Sequence, residues 1–186
     1  MPAARRARRP GGGPDGPTPG SPADADPDAD PESVARRIVL RKLTAAPRTR
    51  AQLEADLAAR AVPDEVTRRV LDRFTEVGLV DDTAFAEAWV RSRHATRGLS
   101  RRALGQELRQ KGVEDEIARA AVEEIGPDDE AAAAAALVAK RLSATRGLDS
   151  QVRVRRLAAM LGRKGYPGGL ALRVARDAVA ADHPLP

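Results

Sequence analysis

The sequence predicts an all-α protein: a tandem array of three three-helix repeats, about nine helices, elongated and preceded by a disordered N-terminal tail. Three observations predict it. An apolar pattern recurs three times with identical internal offsets. From Val34 onward Ala, Leu, Arg and Glu dominate, all good helix formers, and no β-branched run alternates with period two. Before that point residues 1–33 are a low-complexity mixture of Pro, Gly, Asp, Ala and Arg with Met1 as their one large apolar residue. Such a segment buries too little to offset its ordering entropy.

The repeat carries most of the information. Its first copy runs Leu53, Leu57, Arg60-Ala61-Val62, Val66 and Val70. The second runs Leu104, Leu108, Lys111-Gly112-Val113, Ile117 and Ala121, and the third Leu157, Leu161, Lys164-Gly165-Tyr166, Leu170 and Val174. The copies stand 51 and 53 residues apart, and a period near 50 marks a modular array. Leucines at i and i+4 share one helix face. The small residue Ala61, Gly112 or Gly165 falls where a helix end favours a left-handed backbone, with glycine the better choice. The apolar residue after it packs back on the helix just left.

Each element then has a start signal. Thr49 and Ser100 lie four residues before the first leucine as N-caps; Asp149-Ser150 do so in the third copy, shifted by a longer Leu148–Arg156 connection. Asp64 and Asp115 are placed to cap the following helix, where the third copy has Gly168-Gly169 and a weaker start. A longer helix precedes each pair, at about 34–45, 82–97 and 129–146. The expected organisation is therefore tail 1–33 and repeats over 34–80, 81–127 and 128–186. A unit of about 45 residues is small for an independent core, so the repeats should pack on their neighbours.

Composition excludes several classes. There is no cysteine among the 186 residues, so disulfides, thiolate metal sites and cysteine nucleophiles are out, and a reducing cytoplasm is the simplest location. No apolar run approaches the roughly 20 residues of a membrane span, and the basic start Met1–Arg9 leads into Gly, Pro and Asp rather than an apolar signal core. His94 and His183 are far apart in sequence, and no phosphate loop, dinucleotide motif, zinc-protease motif or Ser/His/Asp order is present. Neither an enzyme nor a cofactor is expected. Asp81-Asp82 read as the acids that open the Phe85 helix rather than as a metal pair. Phe85, Trp89 and Tyr166 read as core residues rather than base-stacking platforms.

The net charge is +5, but four arginines against six acids make the tail −2 and leave +7 for the rest. Seven Lys/Arg face one Glu between Trp89 and Gly112; eight face one Asp between Leu137 and Tyr166. Such windows favour a polyanionic partner, although solvated arginine on helix surfaces is the plainer alternative. The first candidate face comprises Arg91, Arg93, Arg97, Arg101, Arg102, Arg109 and Lys111. Because these residues span two helices meeting near Gly98, one shared face requires those helices to fold back together. The second comprises Arg153, Arg155, Arg156 and Lys164, with Arg141, Arg146 and Arg163 nearby.

The stretch Gly78-Leu79-Val80-Asp81-Asp82-Thr83-Ala84-Phe85-Ala86 and the stretch Leu104-x2-Glu107-Leu108-x2-Lys111-Gly112-Val113 resemble marks of the RecX family of bacterial recombination regulators. The resemblance covers about residues 34–181. It implies a non-enzymatic regulatory protein of DNA repair, homologous recombination and the SOS response. It also implies binding to the RecA recombinase or its filament on single-stranded DNA, with suppression of ATPase, strand-exchange and coprotease activities. A monomer with weak direct DNA contact and no membrane contact is expected. The alternative is a direct DNA-binding protein using helix-turn-helix-like units, for which Arg68, Arg69 and Arg73 lie on a suitable second helix; the acidic second helix of the middle unit speaks against it.

If Leu104 and Leu108 are core residues of the middle unit, replacing each by alanine should cost about 2–5 kcal/mol. Chemical denaturation of the single variants tests this; unchanged midpoints would remove both from the core.

Overall fold

A computed structural model describes residues 30–182. The expectations for the tail and for His183 fall on residues outside this range, except at the tail's end. Nine α-helices and no strand are present among the described residues. They form three consecutive triplets: α1 (Pro31–Ala45), α2 (Arg50–Ala58) and α3 (Asp64–Glu76); α4 (Asp82–Arg97), α5 (Arg101–Gln110) and α6 (Asp115–Glu123); α7 (Pro127–Leu142), α8 (Ser150–Arg163) and α9 (Gly168–Ala181). A 3₁₀ turn, Ser143–Thr145, follows α7. No helix among the described residues is long and apolar enough to cross a membrane.

Each triplet encloses its own core. Leu53, Leu57, Val70, Leu71 and Phe74 centre the first, Leu104, Leu108, Val113 and Ala118 the second, and Leu157, Leu161, Tyr166 and Val174 the third. The repeated leucines are all buried, as their i, i+4 spacing requires. Caps close the second helix of each triplet. The Thr49 hydroxyl accepts from the Gln52 amide at 3.2 Å, and the Gln52 side chain accepts from the Thr49 amide at 3.2 Å, a reciprocal capping box. Ser100 Oγ accepts from the Ala103 amide at 3.2 Å, and Asp149 Oδ1 from the Gln151 amide at 2.8 Å.

Two sequence expectations change, and a third, Asp81 and Asp82 as the acids that open α4, holds with an added contact. Asp30–Ser33 belong to α1 rather than to the tail: Asp30 is the N-cap, accepting from the Ser33 amide at 3.2 Å, and Pro31 opens the first turn, where its missing N–H costs nothing. Asp64 and Asp115 do not cap α3 and α6. The N-cap residues are Pro63 and Glu114, without side-chain capping bonds, and the two aspartates stand in the first turn beside the helix dipole. Asp81 caps α4, accepting from the Ala84 amide at 2.9 Å, whereas Asp82 reaches the preceding triplet and accepts from the Arg50 amide at 2.9 Å. Burial raises the Asp82 pKa, partly offset by that amide.

The triplets are joined by a recurring contact. The turn after the second helix of one triplet docks against the N-terminus of the second helix of the triplet before it. The Thr49 hydroxyl donates to the Lys111 carbonyl at 2.7 Å. At the next junction the Ser100 amide donates to the Lys164 carbonyl at 3.1 Å, Lys164 Nζ donates to the Arg97 carbonyl, and the Tyr166 hydroxyl donates to the Gly98 carbonyl at 3.2 Å. Burial pushes the Tyr166 phenol up to about 12, so it stays protonated as a donor. Gly112 and Gly165 are left-handed, with φ of 78° and 90°. They are also crowded: a Cβ at Gly112 would lie 2.3 Å from Ala51 Cβ, and one at Gly165 would lie 2.5 Å from Ser100 Oγ. Ala61, at the equivalent turn of the first triplet, is left-handed too (φ 55°) but exposed.

A buried ion pair closes the third triplet. Arg153 is 2% exposed; its guanidinium donates to Thr145 Oγ1 at 3.2 Å and to Asp182 Oδ2. Arg146 donates to Asp182 Oδ1 at 3.3 Å. Hydrogen bonds from Arg153 and Arg146 hold the Asp182 carboxyl below its usual range.

Two outcomes follow from these contacts. Gly165→Ala should destabilise the protein by more than the roughly 1–2 kcal/mol of left-handed strain, because the turn must also retreat from Ser100. Ala61→Gly should be neutral or stabilising by up to about 1 kcal/mol; denaturant melts compare them, and equal effects would contradict the docking contact. Asp182→Asn should lower Tm at neutral pH. A depressed aspartate pKa stabilises above the unfolded value, so the wild-type advantage should be full above about pH 5 and shrink as pH falls below about 4. A pH-independent gap would show that the carboxylate charge plays no part.

Candidate functional site

The middle triplet gathers arginines in the groove between α5 and α6. Arg101, Arg102, Arg109 and Arg119 line this groove of about 340 Å³, with Asp115 as its single acid and Gly105, Ala118 and Val122 as its floor. Arg101 stands at the start of α5 and Arg109 in its last turn; Gly105 between them has no side chain to fill the space. Backbone carbonyls orient two of the guanidinium groups. Arg101 Nε donates to the Val122 carbonyl and Arg102 Nε to the Gly165 carbonyl, each at 3.2 Å. These bonds commit one of the five N–H donors that a guanidinium carries. The Arg101 amide is tied in turn to Glu130 Oε1 of α7 at 2.9 Å. Arg109 lies 3.8 Å from Asp115, with its side chain 53% exposed. The groove presents several positioned cations against one carboxylate, an arrangement suited to bidentate recognition of carboxylate or phosphate.

The structure divides the first candidate face. Arg101, Arg102 and Arg109 come together, and Arg119 joins them. Arg119 is missed by sequence reasoning because α6 carries an acidic excess. The available signal is its place four residues after Asp115, on the same face of the helix. Arg93 and Lys111 form a separate cluster on Trp89. Their cationic groups lie 4.1 and 4.0 Å from the indole centroid, within cation–π range. Trp89 stacks on Phe85, with centroids 5.8 Å apart, and its indole N–H donates to Glu107 at 2.9 Å. Both rings are half-buried against the second core. This is where α4 and the end of α5 fold back together. Arg91 and Arg97 are exposed and join neither cluster; Arg91 lies 3.7 Å from Glu87. His94 is structural, its Nδ1 lying 3.0 Å from the Leu99 carbonyl.

In the third triplet the candidates separate further. Arg153 is withdrawn from any contact face, since Asp182 and Thr145 hold it in the interior. Lys164 is spent on the junction with α4. Arg155 and Arg156 remain exposed, Arg155 at the rim of a groove between α8 and α9. Among the described residues no group of three or more His, Cys, Asp or Glu could hold a metal ion.

In the first triplet the arginines named for a DNA-reading helix all have acid partners. Arg68 lies 3.0 Å from Glu65, Arg69 3.7 Å from Glu32 and Arg73 3.0 Å from Glu76.

The fold and sequence have clear relatives. Family models match all three triplets: the first three-helix domain of RecX over residues 35–74, the second over 81–122 and the third over 128–174. A regulatory protein RecX from Thermobifida fusca (strain YX) is 60% identical over 148 residues, which are 80% of each chain. One from Streptomyces coelicolor is 56% identical over 145 residues, 78% of this chain and 77% of that protein. The crystal structure of RecX from Lactobacillus salivarius superimposes with a TM-score of 0.75 at 19% identity, covering 80% of this chain and 97% of that one. Its likeness concerns the fold; the family rests on the sequence matches. With three consecutive domain matches and such close relatives, the chain belongs to the RecX family of regulatory proteins.

Proposed function

We propose that this chain is a negative modulator of the RecA recombinase, which binds RecA or its filament on single-stranded DNA and suppresses ATPase, strand exchange and coprotease activity. It acts in the cytoplasm, as a monomer and without catalysing a reaction or holding a cofactor. The observation that carries the reading, beside the family, is the arginine-lined groove of the middle triplet. Two of its cations, Arg101 and Arg102, are held by backbone carbonyls, so less side-chain freedom is lost there when an anionic surface arrives. That surface is provided by acids of RecA, with exposed DNA phosphate as a secondary contact. Arg91 and Arg97 on α4 and Arg156 on α8 add long-range attraction.

Arg93 and Lys111 have a different part. Trp89, itself held by Glu107, fixes them at the α4–α5 contact. Changing Lys111 would therefore disturb the fold as well as the charge, and Arg109 and Arg119 give a cleaner test. Direct reading of DNA by α3 is the weaker proposal, because Arg68, Arg69 and Arg73 each lie beside an acid on the surface rather than gathered in one groove.

Arg109→Glu with Arg119→Glu should leave Tm within a few degrees of wild type, since both side chains are exposed. In an assay of ATP hydrolysis by the cognate RecA on single-stranded DNA, at least tenfold more of the double variant should be needed for half-inhibition. Charged hydrogen bonds contribute about 1.5–3 kcal/mol each, enough for that shift. Full inhibition by the folded double variant would remove the groove from the mechanism. No inhibition by wild type, with salt-sensitive binding to bare DNA, would replace this reading by direct DNA binding.

A further inference from the structure

The groove between the second and third helices recurs in all three triplets with different linings. In the first triplet it is bordered by Glu54, Asp64 and Arg68 between small residues. In the second it is lined by arginines. In the third it widens to about 850 Å³ and its floor turns aliphatic, with Val154, Ala158, Leu172 and Val179 between Arg155 and Arg176. The repeat register makes the change specific. Val154 occupies the place of Arg101, and Leu172 the place of Arg119.

At Leu172 the fold does not require this exchange, whereas Val154 is half-buried and packs with one side on the third core. The middle triplet builds the same helix pair with arginine at both places. Leu172 is 41% exposed and stands outside the third core. A leucine two-fifths exposed where the equivalent helix carries arginine leaves apolar surface in water that a buried position would have covered. Apolar surface of this kind, rimmed by polar groups, marks an interaction site. The rim is cationic, so the complementary ligand is apolar along one stripe and acidic beside it. Among the described residues there is no sheet edge to add a strand to, and a trough between two helices suits a helix laid into it. Nucleic acid would gain little from an aliphatic floor that offers no aromatic surface for stacking.

We infer that the α8–α9 groove is a docking site for an acidic amphipathic helix of a partner protein, whose aliphatic residues cover Leu172 and Val154 and whose carboxylates meet Arg155 and Arg176. The site is separate from the arginine groove and does not depend on the RecA reading.

The test uses the full chain and a fluorescein-labelled helical peptide of about four turns, with leucines at i, i+4 and i+7 flanked by glutamates. Two control peptides have the same composition with the stripe scrambled, or lysine in place of glutamate. By fluorescence anisotropy the striped acidic peptide should bind at least tenfold more tightly than either control. Leu172→Arg, which installs the residue type of the middle triplet at an exposed position, should keep the wild-type circular dichroism and Tm. It should weaken the striped peptide at least tenfold. Arg155→Glu with Arg176→Glu should shift the preference towards the lysine peptide. Equal binding of the scrambled peptide, no binding of the striped one, or indifference to Leu172→Arg in the folded variant would overturn the site. So would preferential binding to phosphatidylglycerol–phosphatidylcholine vesicles that Leu172→Arg abolishes. A wild-type dimer lost in Leu172→Arg would assign the groove to a second copy and equally overturn it.

Discussion

A helix-end carbonyl in one triplet and a buried N-cap residue in the triplet before it hold this array in register. Lys111 and Lys164 supply the carbonyls; Thr49 and Ser100 supply the donors, one through its hydroxyl and the other through its amide. Both cap residues are fully buried, so losing the contact would strand polar groups away from water, which costs more than the bond itself contributes. The approach is possible only because the residue after each lysine lacks a Cβ. Gly112 and Gly165 are constrained twice, by a left-handed backbone and by the neighbouring triplet, whereas the first triplet has only the backbone constraint and uses Ala61. The single alanine in the series thus stands at the one such turn that, among the described residues, meets no neighbouring triplet.

That junction also positions the candidate site. The Gly165 carbonyl that faces the junction orients Arg102, and Glu130 of α7 holds the amide at the start of α5. The arginine groove of the middle triplet is therefore partly built by the third. A three-helix unit excised from the array would keep its leucine core but lose those two supports. Modular cores joined by polar contacts let each groove differ in chemistry at its exposed positions, such as Arg119 and Leu172. The three grooves show this: mixed charge in the first, arginine in the second, aliphatic in the third.

Charge in the sequence proved a poor guide to charge on the surface. Arg153 belongs to the same basic run as Arg155 and Arg156, yet Asp182 draws it into the interior across 29 residues of sequence. Arg93 and Lys111 are separated by most of two helices and meet on one indole ring. Arg119, on a helix with an acidic excess, faces the groove because of its angular position on α6 and not because of the composition around it. For Arg153 and Lys111 a partner distant in sequence decides where the charged group goes; for Arg119 the helix itself does.

The sequence by itself determined the helical class, the three-fold repeat, the leucine cores, the N-caps at Thr49, Ser100 and Asp149, the left-handed turns and the family. These follow from local rules: side-chain periodicity, backbone preference at helix ends, and the fixed offsets of a repeat. Only the tertiary structure decided that Asp82 reaches back to α2, that Arg153 is interior, that Lys164 bridges two triplets, and which arginines share a groove. Such outcomes depend on hydrogen-bond and ion-pair partners brought close by packing. Periodicity says which face of a helix is apolar, but the polar residues beside that face are assigned by whatever the neighbouring triplet presents to them.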